Sequence, residues 1–198
     1  VDIFLQLWGG GWYLFNKILF SLSETEHEIK NNQLTLLAWL AYLIGVPAWV
    51  FLLIAKNDWI AASIEASGIP AMLLGLYKAY STPKAPPSLE QGVKYLTYLA
   101  VLFGCLISIR EYGGIVSASQ CLEIGVTIGF LMGSYLMTQH DRKGYLFFML
   151  MNTSMASLMY LQGKNILLIQ QLLSLLFVGY GYRQASRNRQ PRQRLQTQ

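Results

Sequence analysis

Seven apolar stretches divide this chain, and each is about as long as a bilayer is thick. They cover 3–22, 34–55, 59–80, 93–109, 116–138, 144–162 and 166–182, between 17 and 23 residues apiece. A helix crossing about 30 Å of hydrocarbon needs about 20 such residues. Lipid offers the backbone no hydrogen-bond partner, so the helix must satisfy its own amides and carbonyls. Composition points the same way. Charged residues make up 13% of the chain, apolar ones 54%, and mean hydropathy is +0.36. A soluble domain carries about 25% charged residues. These values exclude a disordered chain, a coiled coil and a disulfide-stapled secreted module, and they weigh against a water-soluble enzyme. The expectation is an all-α membrane protein with seven transmembrane helices. The first stretch is the weakest, because it holds Gly9, Gly10, Gly11, Asn16 and Lys17. It is expected to span, with an in-plane interfacial helix as the alternative. It lacks the basic flank and small-residue cleavage site of a signal peptide.

Positive charge assigns the two sides, since cytoplasmic loops collect Lys and Arg. With seven spans, one side collects Lys30, Lys78, Lys84, Lys94, Arg142, Lys143, Arg183, Arg187, Arg189, Arg192 and Arg194. The other side has Lys56, Arg110 and Lys164. The asymmetry predicts an N-terminus outside and a C-terminus in the cytoplasm. An even helix count would spoil that sorting. The tail 183–198 reads as a disordered, basic topology determinant and lipid headgroup anchor. It has no aromatic residue after Arg183 to stack on bases, so no nucleic-acid partner is expected.

A weak internal repeat organises the seven stretches. Lys56-Asn57 opens a run ending in Gly75-Leu76-Tyr77-Lys78-Ala79-Tyr80-Ser81, and Lys164-Asn165 opens one ending in Gly181-Tyr182-Arg183-Gln184-Ala185-Ser186. The predicted layout has a first three-helix repeat in 1–80 and a linker with a connecting fourth helix in 81–112. A second three-helix repeat in 113–186 and a basic tail in 187–198 complete it. Pro83, Pro86 and Pro87 make the linker stiff. Parallel repeats of this kind occur in carriers that hold substrate near mid-membrane.

Polar residues at membrane depth are costly and each needs a reason. Glu65 precedes Gly68 and Pro70, where a kink is expected; it either lines a cavity or faces water near the outer end. Glu123, beside Gln120, either lines a cavity or belongs to a structural pair. Gly125, Gly129 and Gly133 form a small-residue ladder suited to close helix packing, which also permits self-association. Asn152 sits in a polar cluster with Thr153, Ser154 and Ser157, and its amide is expected to need partners outside its helix. Gln170 and Gln171 point about 100° apart along a helix, so at least one should face the interior. Asn152 and Gln170 are expected to contact a ligand, and Trp49, beside Pro47, to stack on one. The Met151, Met155 and Met159 stripe reads as packing. Aromatic residues near helix ends, such as Tyr77 and Tyr80, read as an interfacial belt.

No catalytic pattern is visible. His27 and His140 lie apart in loops, Cys105 and Cys121 sit in apolar runs, and Gly9–Gly11 lacks the strand and helix of a phosphate loop. No enzyme activity, metal or cofactor is expected. A seven-helix sensor would need an effector domain that the short tail does not supply. A membrane-embedded transferase would need a site not evident here.

Residues 137–163 (MTQHDRKGYLFFMLMNTSMASLMYLQG) carry a resemblance. A mid-helix Asn followed by a small, polar and apolar run closing on Leu-Gln-Gly resembles the sixth helix of PnuC-type nicotinamide riboside transporters. Gly75-Leu76-Tyr77 and Tyr182-Arg183 look like that family's aromatic helix ends, and the three-plus-one-plus-three layout is similar to a full-length SWEET-like fold. The resemblance spans 34–186 and is clearest in 115–186. It departs in the first half, where Glu65 or Ser67 stands in for an expected amide and Tyr77 and Tyr80 occur without a Trp. It implies uptake of nicotinamide riboside across a bacterial inner (cytoplasmic) membrane by facilitated diffusion, with Tyr77 among the substrate-binding residues. Scarce interior Lys and Arg, Lys17 apart, would leave a phosphate without a counter-charge.

Overall fold

The computed structural model describes residues 2–25, 28–55, 59–80, 85–111, 113–114 and 117–196. Among them the ordered elements are all helical: α1 (Asp2–Ser23), α2 (Glu28–Ala55), α3 (Trp59–Ser67), α4 (Ile69–Tyr80), α5 (Pro87–Glu111), α6 (Ala118–Thr138), α7 (Lys143–Leu161) and α8 (Asn165–Gln196). Because α3 and α4 are two halves of one rod, the seven expected helices are present. Several run beyond their apolar stretches. Polar turns outside the hydrocarbon extend α2 back to Glu28 and α5 back to Pro87, a residue suited to a first helical turn. The backbone of α8 stays helical to Gln196, which corrects the expectation of a disordered tail. His27, Lys56-Asn57, Ser81, Pro83 and Lys84 lie outside the described residues.

The break in the third rod falls at Gly68. Pro70 lacks the amide that would continue the α3 ladder, and the chain restarts when the Met72 amide donates to the Gly68 carbonyl at 3.2 Å. Gly68 also admits a neighbour. A Cβ there would come within 2.6 Å of the Phe130 ring from α6.

The rods form a closed ring. α1 packs on α2, α2 on the α3–α4 rod, α4 on α6, α6 on α7, α7 on α8, and α8 back on α1. Helix α5 stands outside, against α3, α4 and α6. Only 17% of its apolar stretch is buried, against 50% for that of α6. Its base is tied by Lys78 of α4, whose Nζ lies 2.5 Å from Glu90 Oε1 and donates to Gln139 Oε1 at 3.1 Å. Helix α1 therefore lies within the bundle, between α2 and α8.

Polarity is inverted relative to a soluble protein. Ile3, Phe51, Leu99, Phe103, Ile166 and Leu176 are exposed, while Asn16, Lys17, Ser134 and Asn152 are buried. Four helical stretches, Lys30–Ala55, Pro87–Arg110, Ala118–Thr138 and Asn165–Arg187, are long and apolar enough to cross a bilayer. An apolar skin around polar residues suits lipid as the outer solvent.

Glycines let the ring close. A Cβ on Gly129 would meet the Met151 amide nitrogen and the Phe147 carbonyl oxygen at 2.6 Å, so α6 and α7 touch through their backbones. The whole ladder is covered by α7, since Gly125 faces Ser154 and Gly133 faces Phe148. The ladder is thus internal packing, the use expected of it, and its glycines are taken up by α7. Two further glycines act as sockets. Gly75 of α4 receives the Trp39 ring from α2, and Gly181 of α8 receives the Tyr145 ring from α7. Gly75→Ala should lower stability in detergent by about 1–3 kcal/mol through overpacking. Gly92→Ala, where a Cβ meets open space, should change it by no more than about 0.5 kcal/mol. Thermal unfolding of both variants measures the difference.

Candidate functional site

The ring encloses a column of aromatic side chains. Trp49 leans toward Tyr13 with centroids 6.3 Å apart, and Tyr13 meets Tyr42 edge-on at 4.8 Å. Tyr42 stacks on Trp39 at 6.3 Å, and Trp39 meets Phe20 edge-on at 4.9 Å. Phe130 and Phe148 reach Tyr42 from α6 and α7, both tilted steeply to its plane. This column reaches Phe148 in the second turn of α7, nearer one end of the bundle than its middle.

At that level the interior holds a cation. Lys17 is only 2% exposed. Its ammonium sits 3.6 Å from the Phe148 ring centroid and 4.4 Å from that of Tyr42. Aromatic faces carry negative charge density, and a desolvated cation over one gains about 2 kcal/mol. Lys17 Nζ has no hydrogen-bond acceptor. Glu65 of α3 lies within electrostatic reach of Lys17 without forming an ion pair with it. Its carboxylate accepts a hydrogen bond from the Tyr13 hydroxyl. Gly45 makes that possible, because a Cβ on it would fall 2.6 Å from the Tyr13 ring. Asn16, fully buried beside Lys17, donates to the Ala38 carbonyl at 2.9 Å and leaves its Oδ1 without a partner. Ser134 Oγ lies 3.4 Å from the Tyr42 hydroxyl.

Packed layers bracket this centre. On one side Trp39 and Phe20 fill the ring, and the single hydroxyl proton of Tyr145 has two acceptors in reach, the Phe20 carbonyl at 3.0 Å and the Glu24 carboxylate at 3.1 Å. On the other side Trp49 packs with Met155, Leu158, Met159 and Leu167. With Met151 buried in the main core, all three members of the methionine stripe are packing residues, as expected. There the glycine run finds its use: Gly9 leaves room for the Trp49 indole and Gly10 for the Gln170 amide. The Trp49 Nε1 and Gln171 Oε1 atoms are buried without partners. An unpaired buried polar atom costs about 1–3 kcal/mol, and Asn16, Lys17, Trp49 and Gln171 carry such atoms on α1, α2 and α8.

The expected site residues separate into three groups. Trp49 and Glu65 are half-buried and reach the interior through Tyr13, and Gln171 is buried with an unpaired oxygen. Asn152 and Gln170 face inward but are already engaged. The Asn152 amide donates to its own helix at Phe148 O, 2.6 Å, which corrects the expectation of an outside partner; the Gln170 amide bonds α8 to α1 through Gly10 O at 2.7 Å. Glu123 is exposed on α6 and Tyr77 is 39% exposed on α4, so neither joins the interior. Lys17, Tyr13, Tyr42 and Phe148 were not among the expected site residues. The signal for Lys17 was a Lys beside Asn16 inside an apolar stretch, and it is the interior Lys that the expectation of scarce counter-charge had already set apart.

Among the described residues no group of three His, Cys, Asp or Glu converges to hold a metal ion. Comparison with family models, curated proteins and solved structures finds no match.

The Tyr13–Glu65 bond should show direct coupling. In a double-mutant cycle with Tyr13→Phe and Glu65→Gln, each single change should lower stability. The pair should lose less than the sum by about 1–3 kcal/mol, as for a hydrogen bond to a charged group. Additive losses would mean that the two side chains are independent.

Proposed function

We propose that this chain is a carrier for nicotinamide riboside in a bacterial inner membrane, working by facilitated diffusion with alternating access. The observation that carries the reading is the Tyr42–Phe148 cage inside the ring, a corner of two steeply inclined aromatic rings over which the Lys17 amine sits. Nicotinamide riboside brings a flat pyridinium with one fixed positive charge, a carboxamide and ribose hydroxyls. The cage suits the pyridinium. The free Trp49 N–H and the free oxygens of Asn16 and Gln171 suit hydroxyls and the carboxamide. A phosphate group would meet acceptor oxygens and the Glu65 carboxylate, with Lys17 already within electrostatic reach of that carboxylate, so the mononucleotide is disfavoured by desolvation.

The architecture supports a three-plus-one-plus-three plan with a SWEET-like division. α1, α2 and the α3–α4 rod form one triplet, α6, α7 and α8 the other, and α5 is the connector outside the ring. The two sockets strengthen the case for a repeat. Gly75 and Gly181 occupy matching positions in the two sequence copies, and each takes an aromatic ring from the preceding rod of its own triplet. Rocking of one triplet against the other, about a site between them, is the motion such a plan allows. The N-terminus outside and the C-terminus in the cytoplasm follow from the loop charges.

Uptake of labelled nicotinamide riboside into proteoliposomes tests the reading. Wild-type protein should equilibrate the label, and a protonophore should leave the final level unchanged. Tyr42→Leu and Trp49→Leu should each reduce the initial rate about tenfold or more, the loss of one desolvated cation–π or hydrogen-bond contact. Unchanged rates in both variants would overturn it.

A further inference from the structure

The cage that suits the substrate's cation is filled by the chain itself. The Lys17 ammonium lies between Tyr42 and Phe148, where a cationic ring would gain most. Two like charges cannot share that space, because desolvated repulsion is strong at such separations. Ligand entry therefore requires Lys17 to leave. A destination exists. Glu65 is within electrostatic reach of Lys17, faces the same interior and is held in place by the Tyr13 hydroxyl. The lysine stem is flexible enough to carry its ammonium from one partner to another.

We propose that Lys17 is a tethered stand-in for the substrate: the Tyr42–Phe148 cage holds either the Lys17 ammonium or the ligand's cationic ring, and Glu65 receives Lys17 when the ligand enters. The inference rests on the carrier reading but concerns how the site chooses among ligands. A cation must outcompete a covalently attached one, so affinity is kept moderate and release is assisted. Neutral rings gain little from the cage and leave Lys17 where it is. In the empty protein the cage stays occupied, the interior charge stays balanced, and the ring can close without substrate. A facilitated carrier needs that step in order to return.

The test is binding of N-methylpyridinium to the purified protein in detergent, read as the rise of the melting temperature with ligand concentration. Nicotinamide, a neutral ring, serves as control. Lys17→Met keeps the length of the side chain and removes its charge. It should lower the apparent Kd for N-methylpyridinium about tenfold, the scale of one desolvated cation–π contact, with no comparable gain for nicotinamide. Glu65→Gln removes the receiving charge and should weaken N-methylpyridinium binding by a similar factor. The two variants move in opposite directions, so either alone decides if the other fails to fold. Unchanged or weaker N-methylpyridinium binding in Lys17→Met, or an equal gain for nicotinamide, would overturn the proposal. So would unchanged or tighter binding in Glu65→Gln. If the variants behave as expected while nicotinamide riboside neither binds nor is taken up, the stand-in role holds and the substrate assignment falls. If nicotinamide riboside is transported but Lys17→Met shows no gain, the reverse is true.

Discussion

An ammonium inside an apolar bundle must be compensated on every side, and much of this structure can be read as that compensation. Removing such a group from water costs several kcal/mol even after the protein relaxes. Here the compensation comes from helices far apart in sequence. Tyr42 and Phe148 supply the ring faces from α2 and α7. Glu65 supplies the opposite charge from α3, and Tyr13 on α1 holds it by a hydrogen bond. The walls belong to both halves of the chain, so the centre is complete only when the ring is closed. Loss of one wall would leave charge facing hydrocarbon, which makes this interior far less tolerant of change than the lipid-facing skin.

Glycine does the complementary work. A ring of helices filled with Trp, Tyr and Phe would be forced apart unless some positions carried no side chain. Gly45, Gly75, Gly129 and Gly181 each stand where a ring or a neighbouring backbone needs the space of a missing Cβ. The Gly9–Gly10 pair does the same for Trp49 and Gln170. Aromatic bulk and glycine are therefore paired across helices, and the pairing fixes register along the bundle as well as distance.

Much of the fold could be read in the sequence, because hydropathy measures the property that lipid selects. All seven rods lie where the apolar stretches predict, and the expected kink near Pro70 falls two residues earlier, at Gly68. Helix ends were less legible. Residues such as Glu28–Gln33 and Pro87–Gly92 continue the helix into water, where hydropathy carries no signal. The site was legible only in part. Composition shows which residues are expensive at depth, and Glu65 stood out on that ground. It does not show which wall an expensive residue faces. Gln170 meets Gly10 across 160 positions of sequence, and Asn152 spends its amide on its own helix. The partners of Lys17 were hidden for the same reason: they come from α2, α3 and α7, and no local pattern announces them.

The joint at Gly68 has a consequence for how the protein meets its lipid. A continuous helix adjusts to a thicker or thinner bilayer by tilting as a whole. A rod in two pieces can bend at the joint and leave its longer half, α4, seated on α2 and α6. The short half carries Glu65 and packs on α2 as well as on the peripheral α5. Membrane thickness, normally a matter for the outer surface of a protein, thereby gains a mechanical route to a carboxylate inside this one.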